Sequence, residues 1–242
     1  WSFYYSADKK YYPLVEHIFT ISQTCVDSLK EFFPDCLEKI SIMENISSPT
    51  TIRQQSLESL GDFSQKINEM KAKGYTILCT IGHICYGKGF DFAIEAAEIL
   101  KKKGVKFKWI FIGKVLEDNF LKEITETGLV DDIILVGIQS NPYPYIGISD
   151  IVVHPSRFEG KSISLDEAKI LCKPIVVTNF STVGDQFENR KNATICEMNG
   201  KALANAIIEL IKDSTLQDSY REYLETHLID NSSEVNKLYR FL

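Results

Sequence analysis

The feature that most constrains this chain is an alternation, from Tyr75 to about Asp213, of short apolar runs with segments of helical period. The runs are almost continuously apolar, as strands buried on both faces of a sheet must be. They are Thr76–Ile81, Phe107–Ile112, Ile133–Val136, Ile151–Val153 and Pro174–Val177, with a shorter run at Ala193–Cys196. The alternation predicts an α/β fold in which helices cover both faces of a parallel sheet.

The segment between the first two runs is the clearest predicted helix. Its apolar residues fall on one helical face: Phe90, Ala93, Ile94, Ala97 and Leu100. Lys101–Lys103 then place positive charge at the negative end of the helix, and Gly104 is suited to the left-handed cap. Helices are also predicted across Lys201–Lys212 and from about Leu216 to His227.

The chain before Gly74 has a different organisation. His17–Ile21 and Lys39–Met43 read as strands, and Gln23–Phe33 reads as a helix that Pro34 ends. The turn-rich stretch Asn45–Thr51 reads as a linker, and a polar helix follows to about Lys73. We therefore expect a β-α-β piece in residues 1–48, a linker and helix in 49–74, the main domain in 75–227, and a tail in 228–242 that packs back on the first piece.

Composition excludes several classes of protein. The 242 residues are 44% hydrophobic and 25% charged, which is typical of a soluble globular protein. A net charge of −6 with scattered lysines argues against nucleic acid as a partner. No apolar stretch approaches the roughly 20 residues that span a bilayer. The six cysteines form no C-x-x-C pair and the four histidines are dispersed, so we expect reduced, intracellular thiols and no metal site.

A glycine-rich loop, Gly82-His-Ile-Cys-Tyr-Gly-Lys-Gly89, follows the first predicted strand. Such a loop between a strand and a helix points backbone N–H groups at phosphate. It departs from the P-loop because Gly89 stands where a Mg²⁺-binding hydroxyl is required. It departs from the dinucleotide fingerprint because Phe92 replaces the third glycine. The loop predicts an anion site in which Lys88 pairs with a phosphate; a tight turn with a solvated lysine is the alternative.

Two glutamates eight residues apart follow the strand Ile151–Val153. Glu159 lies on a loop and Glu167 in the first turns of the next helix, so both can face the crevice where open α/β sheets bind ligands. Gly160 allows close backbone approach, and the helix start offers N–H groups to a diphosphate. A solvated carboxylate is the alternative for Glu159. For Glu167 it is a capping box with Ser164, in which the glutamate only satisfies a backbone N–H.

The segment from Glu159 to Glu167 resembles the E-x7-E motif of glycosyltransferase family 4, the retaining group 1 enzymes of the GT-B fold. The glycine-rich loop, continued to Asp91, is similar to the phosphate-binding segment of this family, and Lys173–Thr178 to its following strand. Asn141–Tyr145 and Glu159–Ser162 are most similar to enzymes of capsular and exopolysaccharide assembly.

The resemblance runs from about His17 to Ile211 and implies an architecture. Ile18–Leu29 and Lys39–Asn45 are similar to the end of the family's N-terminal domain. Residues 75–227 would then be the Rossmann-like, donor-binding C-terminal half of a GT-B fold, and residues 1–48 a remnant of the acceptor domain.

The resemblance also implies roles for single residues. Lys88 pairs with the donor diphosphate, Glu159 binds the sugar hydroxyls and Glu167 the ribose hydroxyls. The backbone of Gly160 to Ile163 donates hydrogen bonds to the diphosphate. Ile138 and Gln139 lie beside the nucleotide base of the donor. The implied donor-binding residues are Gly82, His83, Lys88, Ile138, Gln139, Glu159, Gly160, Lys161, Ser162, Ile163 and Glu167, with Lys88 and Glu159 as catalytic residues.

The implied activity is that of a hexosyl-type transferase. It moves a sugar, with retained anomeric configuration, from a nucleoside-diphosphate sugar to a saccharide or lipid-linked acceptor in cell-surface polysaccharide assembly. Neither cofactor nor metal is expected, because a fixed cation and helix N-termini stabilise the leaving diphosphate. The implied location is cytoplasmic, with peripheral association with the inner face of the cell membrane through a missing N-terminal domain.

Two departures from the family leave alternatives open. His83 stands where the family usually has arginine, and histidine is a weaker, pH-dependent cation. The chain begins with Trp1, and the residues before Gly74 are too few for a second domain, so we expect a processed, truncated or excised piece that binds donor nucleotide but transfers sugar poorly or not at all. The alternatives are a sugar-nucleotide epimerase of the same fold and a non-catalytic nucleotide-sugar-binding subunit.

Overall fold

The computed structural model describes residues 10–240, so residues 1–9 and 241–242 of the two predicted terminal segments lie outside the described part. Within it, β1 (Ile18–Thr20) and β2 (Ile40–Ile42) form a small parallel sheet. The main sheet has six parallel strands. They are β3 (Thr76–Ile81), β4 (Phe107–Ile112), β5 (Ile133–Gly137), β6 (Ile151–His154), β7 (Ile175–Thr178) and β8 (Thr194–Cys196).

Helices alternate with these strands as the periodicity predicts, which confirms the α/β class. They are α1 (Gln23–Phe32), α2 (Pro49–Gln55), α3 (Asp62–Ala72), α4 (Phe90–Lys102), α5 (Asn119–Glu126), α6 (Tyr143–Ile148), α7 (Ile163–Ile170), α8 (Gly200–Lys212) and α9 (Ser214–Thr226). Short 3-10 turns occur at Tyr12–Leu14, Pro34–Lys39, Tyr86–Lys88, Val183–Asp185 and Ser232–Arg240. None of the helices between residues 10 and 240 has the length and apolarity needed to span a bilayer.

The order of the main sheet is β5-β4-β3-β6-β7-β8. The chain builds outwards from β3 to β5 and then crosses back to place β6 beside β3. The loops after β3 and β6 therefore diverge from a common point, and open α/β sheets bind ligands in the crevice at such a point. The glycine-rich loop and the loop of Glu159 are these two loops.

Two apolar clusters show why the predicted strands are continuous in apolar residues. One face of the sheet packs on α4 and α8, which meet closely through alanines such as Ala93 and Ala204. The other face packs on α3, α6 and α7, through Ile67, Ile146 and Leu165. Strands β4, β6 and β7 are buried along their whole length, whereas the edge strands β5 and β8 are partly exposed. Burial on both faces is the condition that selects unbroken apolar runs.

The linker predicted at Asn45–Thr51 is wrong in its second half, because α2 begins at Pro49. The Ser48 side chain caps this helix by accepting a hydrogen bond from the Thr51 N–H, at 3.4 Å. Proline at the first helical position has no N–H to lose and the backbone angle that the helix needs. The Ser-Pro pair is therefore a helix start here, although the same residues are also common in turns.

The described part of the C-terminal tail contacts the segment that follows β1 and β2. The Asn231 side chain accepts a hydrogen bond from the Ser47 N–H, at 2.8 Å, and donates one to the Asn45 carbonyl, at 2.5 Å. Glu234 accepts from the Glu44 N–H, at 2.8 Å. Because one side chain bonds to both a donor and an acceptor of the opposing backbone, this contact fixes the position of the tail along that segment.

Candidate functional site

The glycine-rich loop packs closely against the loops after β4 and β6, and this packing requires glycine at two positions. Gly89 has a φ of +67°, and a Cβ atom there would collide with the Pro155 backbone. Gly113, after β4, has a φ of +153°, and its Cβ would collide with the carbonyl of Gly82. The glycine-rich loop is therefore pressed against both neighbouring loops. This accounts for the glycines by packing as well as by access to a ligand.

Arg157 connects the glycine-rich loop after β3 with the loop of Glu159 after β6; we call these the two crevice loops. Its guanidinium makes two hydrogen bonds to the Asp91 carboxylate, at 2.7 and 2.5 Å, and one to the Tyr86 carbonyl, at 2.6 Å. It lies between the rings of Tyr86 and Phe92, 3.6 and 3.7 Å from their centroids. The planar, forked guanidinium suits a bidentate and stacked position of this kind. Arg157 therefore orients Lys88 and Glu159 indirectly, through the loops that carry them.

Glu159 is held by two donors at the centre of the crevice. Its Oε1 accepts a hydrogen bond from Lys88 Nζ, at 2.7 Å, and lies 2.8 Å from His154 Nε2. Burial by itself raises the pKa of this carboxyl, but the hydrogen bonds and charges of His154 and Lys88 outweigh it and lower the pKa to about 2. Since an ionised carboxylate only accepts hydrogen bonds, Nε2 of His154 must carry the proton. The predicted alternative, a solvated loop carboxylate, is wrong because the side chain is only 9% exposed.

Glu167 has a different partner from the one that the capping-box alternative requires. Helix α7 begins after Ser162, so Ser164 lies inside it and is not its cap. The Glu167 carboxylate accepts a hydrogen bond from the Tyr143 hydroxyl, at 2.9 Å. Burial raises the pKa of Glu167, and burial together with the neighbouring carboxylate raises the pKa of Tyr143 to about 12. The capping box is therefore wrong, and Glu167 faces the start of α6.

The backbone between the two glutamates is only partly available to a ligand. The Ser162 N–H donates to the Gln186 side chain, at 2.9 Å, so it is not directed at a ligand as the resemblance implies. The N–H groups of Ile163, Ser164 and Leu165 lie in the first turn of α7, where geometry leaves no carbonyl of the same helix to accept them. These three groups are the donors that α7 can offer to an anion.

Two residues of this loop contact the N-terminal part of the chain. The amine of Lys161 pairs with Glu44, at 2.6 Å, and the lysine side chain is only 9% exposed. A Cβ at Gly160 would meet the Ile21 side chain at 2.8 Å. The position of Lys161 is explained by this ion pair rather than by a ligand.

The remaining predicted site residues lie on neighbouring loops. His83 is exposed, and with Gly82, Lys88 and His154 it lines a cavity of about 10 Å³. This is close to the smallest volume that holds one water molecule. Ile138 is 71% exposed in the loop after β5. Gln139 donates to the Val136 carbonyl, at 2.7 Å, which stiffens that loop.

A larger cleft separates the loop of Glu159 from the N-terminal β-α-β unit. Its volume is about 940 Å³, and its walls include Ile18, Thr20, Phe158, Glu159 and Thr182. Glu159 therefore forms part of the wall of this cleft as well as part of the crevice. Among residues 10–240 no group of three or more potential metal-ligating side chains converges.

Sequence reasoning missed three functional candidates. His154 ends an apolar strand and is only one of four dispersed histidines in the sequence, Tyr143 lies in a proline-containing segment with no helical period, and Gln186 follows β7 in a turn. Only the first has a local signal, since a polar residue that ends a buried parallel strand faces the ligand crevice. The partners of Tyr143 and Gln186 are 24 residues away along the chain, beyond any local pattern.

Comparison with known proteins gives the same assignment. The family described as glycosyl transferases group 1 matches residues 62–227. Poly(ribitol-phosphate) alpha-N-acetylglucosaminyltransferase of Staphylococcus aureus is 27% identical over 168 residues, which are 67% of this chain and 34% of that protein. The capsular polysaccharide biosynthesis glycosyltransferase CapM of Staphylococcus aureus is 28% identical over 142 residues, 57% of this chain and 37% of that protein.

Solved structures share the fold at low sequence identity. HepE from Anabaena, solved in complex with UDP and glucose, superposes with a TM-score of 0.80 at 16% identity, over 94% of this chain and 62% of that one. WaaG, a glycosyltransferase involved in lipopolysaccharide biosynthesis, superposes with a TM-score of 0.77 at 16% identity, over 91% of this chain and 60% of that one. The chain spans about a third of the length of the two curated relatives named above.

Proposed function

Since the chain belongs to the group 1 glycosyl transferases, we propose that it is the donor-binding part of a retaining glycosyltransferase. The donor is a nucleoside-diphosphate sugar, and the acceptor is a saccharide or a lipid-linked saccharide of a cell-surface polysaccharide. The observation that carries this proposal is the buried Glu159 carboxylate held between Lys88 and His154 at the switch point of the sheet.

Different groups of the crevice bind different parts of the sugar nucleotide. Lys88 is 35% exposed on its side chain and uses one of three ammonium protons on Glu159, so the others can pair with a diphosphate. The first N–H groups of α7 add a second anion site, because helix N-termini favour negative charge. Glu159, ionised at neutral pH, accepts hydrogen bonds from sugar hydroxyls, and Glu167 from those of the ribose.

The same groups favour departure of the nucleoside diphosphate. As the bond between the anomeric carbon and the diphosphate breaks, negative charge grows on the diphosphate oxygens. Lys88 and the start of α7 are already oriented towards that charge, and such preorganised donors lower the barrier. The proposal therefore includes neither metal nor cofactor.

The acceptor and its location are inferred from the large cleft and the relatives. The cleft beside Glu159 has apolar and polar walls, as a saccharide with an attached lipid requires. One curated relative is named for poly(ribitol-phosphate) and the other for capsular polysaccharide biosynthesis, and none of the relatives described above is named as an epimerase. We propose a cytoplasmic site of action, which the six free thiols support, with peripheral contact with the cell membrane.

The test is a titration of the chain with UDP, GDP, ADP and CMP and their sugar conjugates. Calorimetry measures binding, and thermal unfolding measures the stabilisation that binding causes. One nucleoside diphosphate should bind, and at a hundredfold excess over its Kd it should stabilise the chain by about 2.7 kcal/mol. Glu167→Ala should weaken this binding at least tenfold, because the ribose hydroxyls lose their acceptor. Glu209→Ala, which removes an exposed partner of Arg190, is the matched control and should bind as the wild type does.

Two results would contradict the proposal. Failure of every nucleotide to bind the wild-type chain would remove the donor site. Formation of an epimerised sugar nucleotide in the absence of any acceptor would identify an epimerase instead.

A further inference from the structure

The loop that carries Glu159 is held from behind by the turn that follows β7. The Thr182 hydroxyl donates a hydrogen bond to the Glu159 carbonyl, at 2.9 Å. The Gln186 amide accepts from the Ser162 N–H, at 2.9 Å, and donates to the Ser162 carbonyl, at 3.0 Å. One glutamine therefore holds both backbone polar groups of Ser162, the residue immediately before α7. The direction of the first turn of α7 depends on this contact.

A third hydrogen bond connects Gln186 to the interior of α7. Its amide nitrogen also donates to Asp166 Oδ1, at 3.0 Å, while the other oxygen of Asp166 has no hydrogen-bond partner in the described structure. The Lys169 ammonium lies 3.6 Å from Asp166 Oδ1, the oxygen that Gln186 contacts, and donates a hydrogen bond to the main-chain carbonyl of Gln186, at 2.9 Å. The side chain of Gln186 therefore contacts Asp166, and its main chain contacts Lys169.

Burial makes the loss of any of these hydrogen bonds costly in free energy. Gln186, Ser162 and Asp166 are 6%, 6% and 1% exposed. A buried polar group that loses its partner costs about 1–3 kcal/mol, more if it is charged. Only an amide can accept from the Ser162 N–H and at the same time donate to a carbonyl and a carboxylate. The position therefore requires glutamine for its hydrogen bonds and not only for its volume.

We propose that Gln186 is a positioning residue for the sugar donor, an inference that rests on the function proposed above. Through Ser162 it sets the direction of the first N–H groups of α7 and, with Thr182, the position of Glu159. Gln186 is buried behind the loop and does not touch the donor. Its effect is transmitted by the loop, where a displacement of about 1 Å can cost two orders of magnitude in rate.

The experiment compares Gln186→Met with Gln217→Met. Methionine keeps about the volume of glutamine and removes all of its side-chain hydrogen bonds. The control removes the side-chain hydrogen bonds of Gln217, which donates to the Leu210 carbonyl, at 2.7 Å, and accepts from Arg221, at 2.9 Å, and so joins α9 to α8. Calorimetry measures binding of UDP and UMP, or of the corresponding pair for the base that the wild-type chain prefers, below the unfolding temperature of each variant.

Gln186→Met should weaken UDP binding about tenfold or more and UMP binding by less, since the displaced loop serves the second phosphate. Gln217→Met should leave both Kd values within twofold of the wild type. If Gln186→Met does not fold, Gln186→Glu takes its place, because it keeps the acceptor for Ser162 and loses both donors.

A merely structural role predicts a different result. A folded Gln186 variant with a lower unfolding temperature but an unchanged UDP-to-UMP ratio of Kd values would overturn the inference and leave the proposed function intact. Absence of nucleotide binding by the wild-type chain would instead reject the proposed function, and this inference with it.

Discussion

At the scale of single residues, the protonation of Glu159 depends on two opposing effects. Burial favours the neutral acid, but His154 and Lys88 both donate to the carboxylate and hold its pKa at about 2, well below its usual 4.5. A carboxyl whose pKa is lower in the folded state stabilises the fold above its unfolded pKa and loses that contribution as the pH falls through the folded value. The relevant window therefore lies between pH 4.5 and 2.

We expect Glu159→Gln to flatten the acid side of the stability profile. A shift of two to three pKa units corresponds to about 3 kcal/mol, which the wild-type chain should lose and the variant should keep as the pH falls. Urea unfolding at a series of pH values from 7 to 2 measures it. Glu188→Gln removes an exposed partner of Lys191 and should leave the profile unchanged. Parallel profiles for the wild type and Glu159→Gln would show that the ion pair does not form in solution.

At the scale of elements, the two crevice loops behave as one unit because Arg157 joins them. The loop after β3 contributes Tyr86, the first turn of α4 contributes Asp91 and Phe92, and the loop after β6 contributes the arginine itself. The hydrogen bonds to Asp91 raise the pKa of Arg157, so the guanidinium stays charged throughout. Loss of this contact should therefore loosen the positions of Lys88 and Glu159.

Arg157→Lys should therefore destabilise the fold although it keeps the charge. Lysine has neither the fork for the Asp91 carboxylate nor the plane that stacks between two rings, and we expect a loss of about 2 kcal/mol. Urea unfolding at neutral pH measures the difference. Arg190→Lys, at an exposed pair with Glu209, is the matched control and should cost less than about 1 kcal/mol. Equal losses in the two variants would contradict a special role for Arg157.

At the scale of the whole molecule, contacts of the tail join distant parts of the chain. Asn231 is 8% exposed and bridges the backbone at Asn45 and Ser47, more than 180 residues away in sequence. Glu44, which also follows β2, pairs with Lys161 of the loop that carries Glu159. The tail, the segment after β2 and the loop of Glu159 are thus in continuous contact, although they are far apart in the sequence.

Asn231→Ala should weaken the contact between the tail and the backbone at Asn45 and Ser47. The Ser47 N–H loses its acceptor in a buried position, at a cost of about 1–3 kcal/mol, so its hydrogen exchange should accelerate by tenfold or more. Amide exchange across residues 42–47 measures the change. Ser232→Ala removes a hydroxyl that bonds only to the neighbouring Asp230 and should leave this exchange unaltered. Unchanged protection at Ser47 in Asn231→Ala would mean that the tail is not coupled to the segment.

The sequence by itself determined the parallel α/β fold and the order of its strands along the chain. Burial on both faces selects unbroken apolar runs, and this pattern is local, so each predicted strand lies within one residue of the observed one. The two glutamates and the glycine-rich loop were also visible, because strand ends in this fold lie at a ligand crevice. The start of α2 and helix α6 were missed, since Ser-Pro and Pro-Tyr-Pro segments are equally compatible with turns.

The tertiary structure alone decided the partners of these residues. Lys161 pairs with Glu44, Ser162 with Gln186, Glu159 with His154 and Lys88, and Glu167 with Tyr143. Each partner comes from another loop or helix, and most lie tens of residues away, where no period or spacing connects them. Hydrogen bonds and ion pairs act over a few ångströms in space, and only the folded chain brings such distant residues within that range.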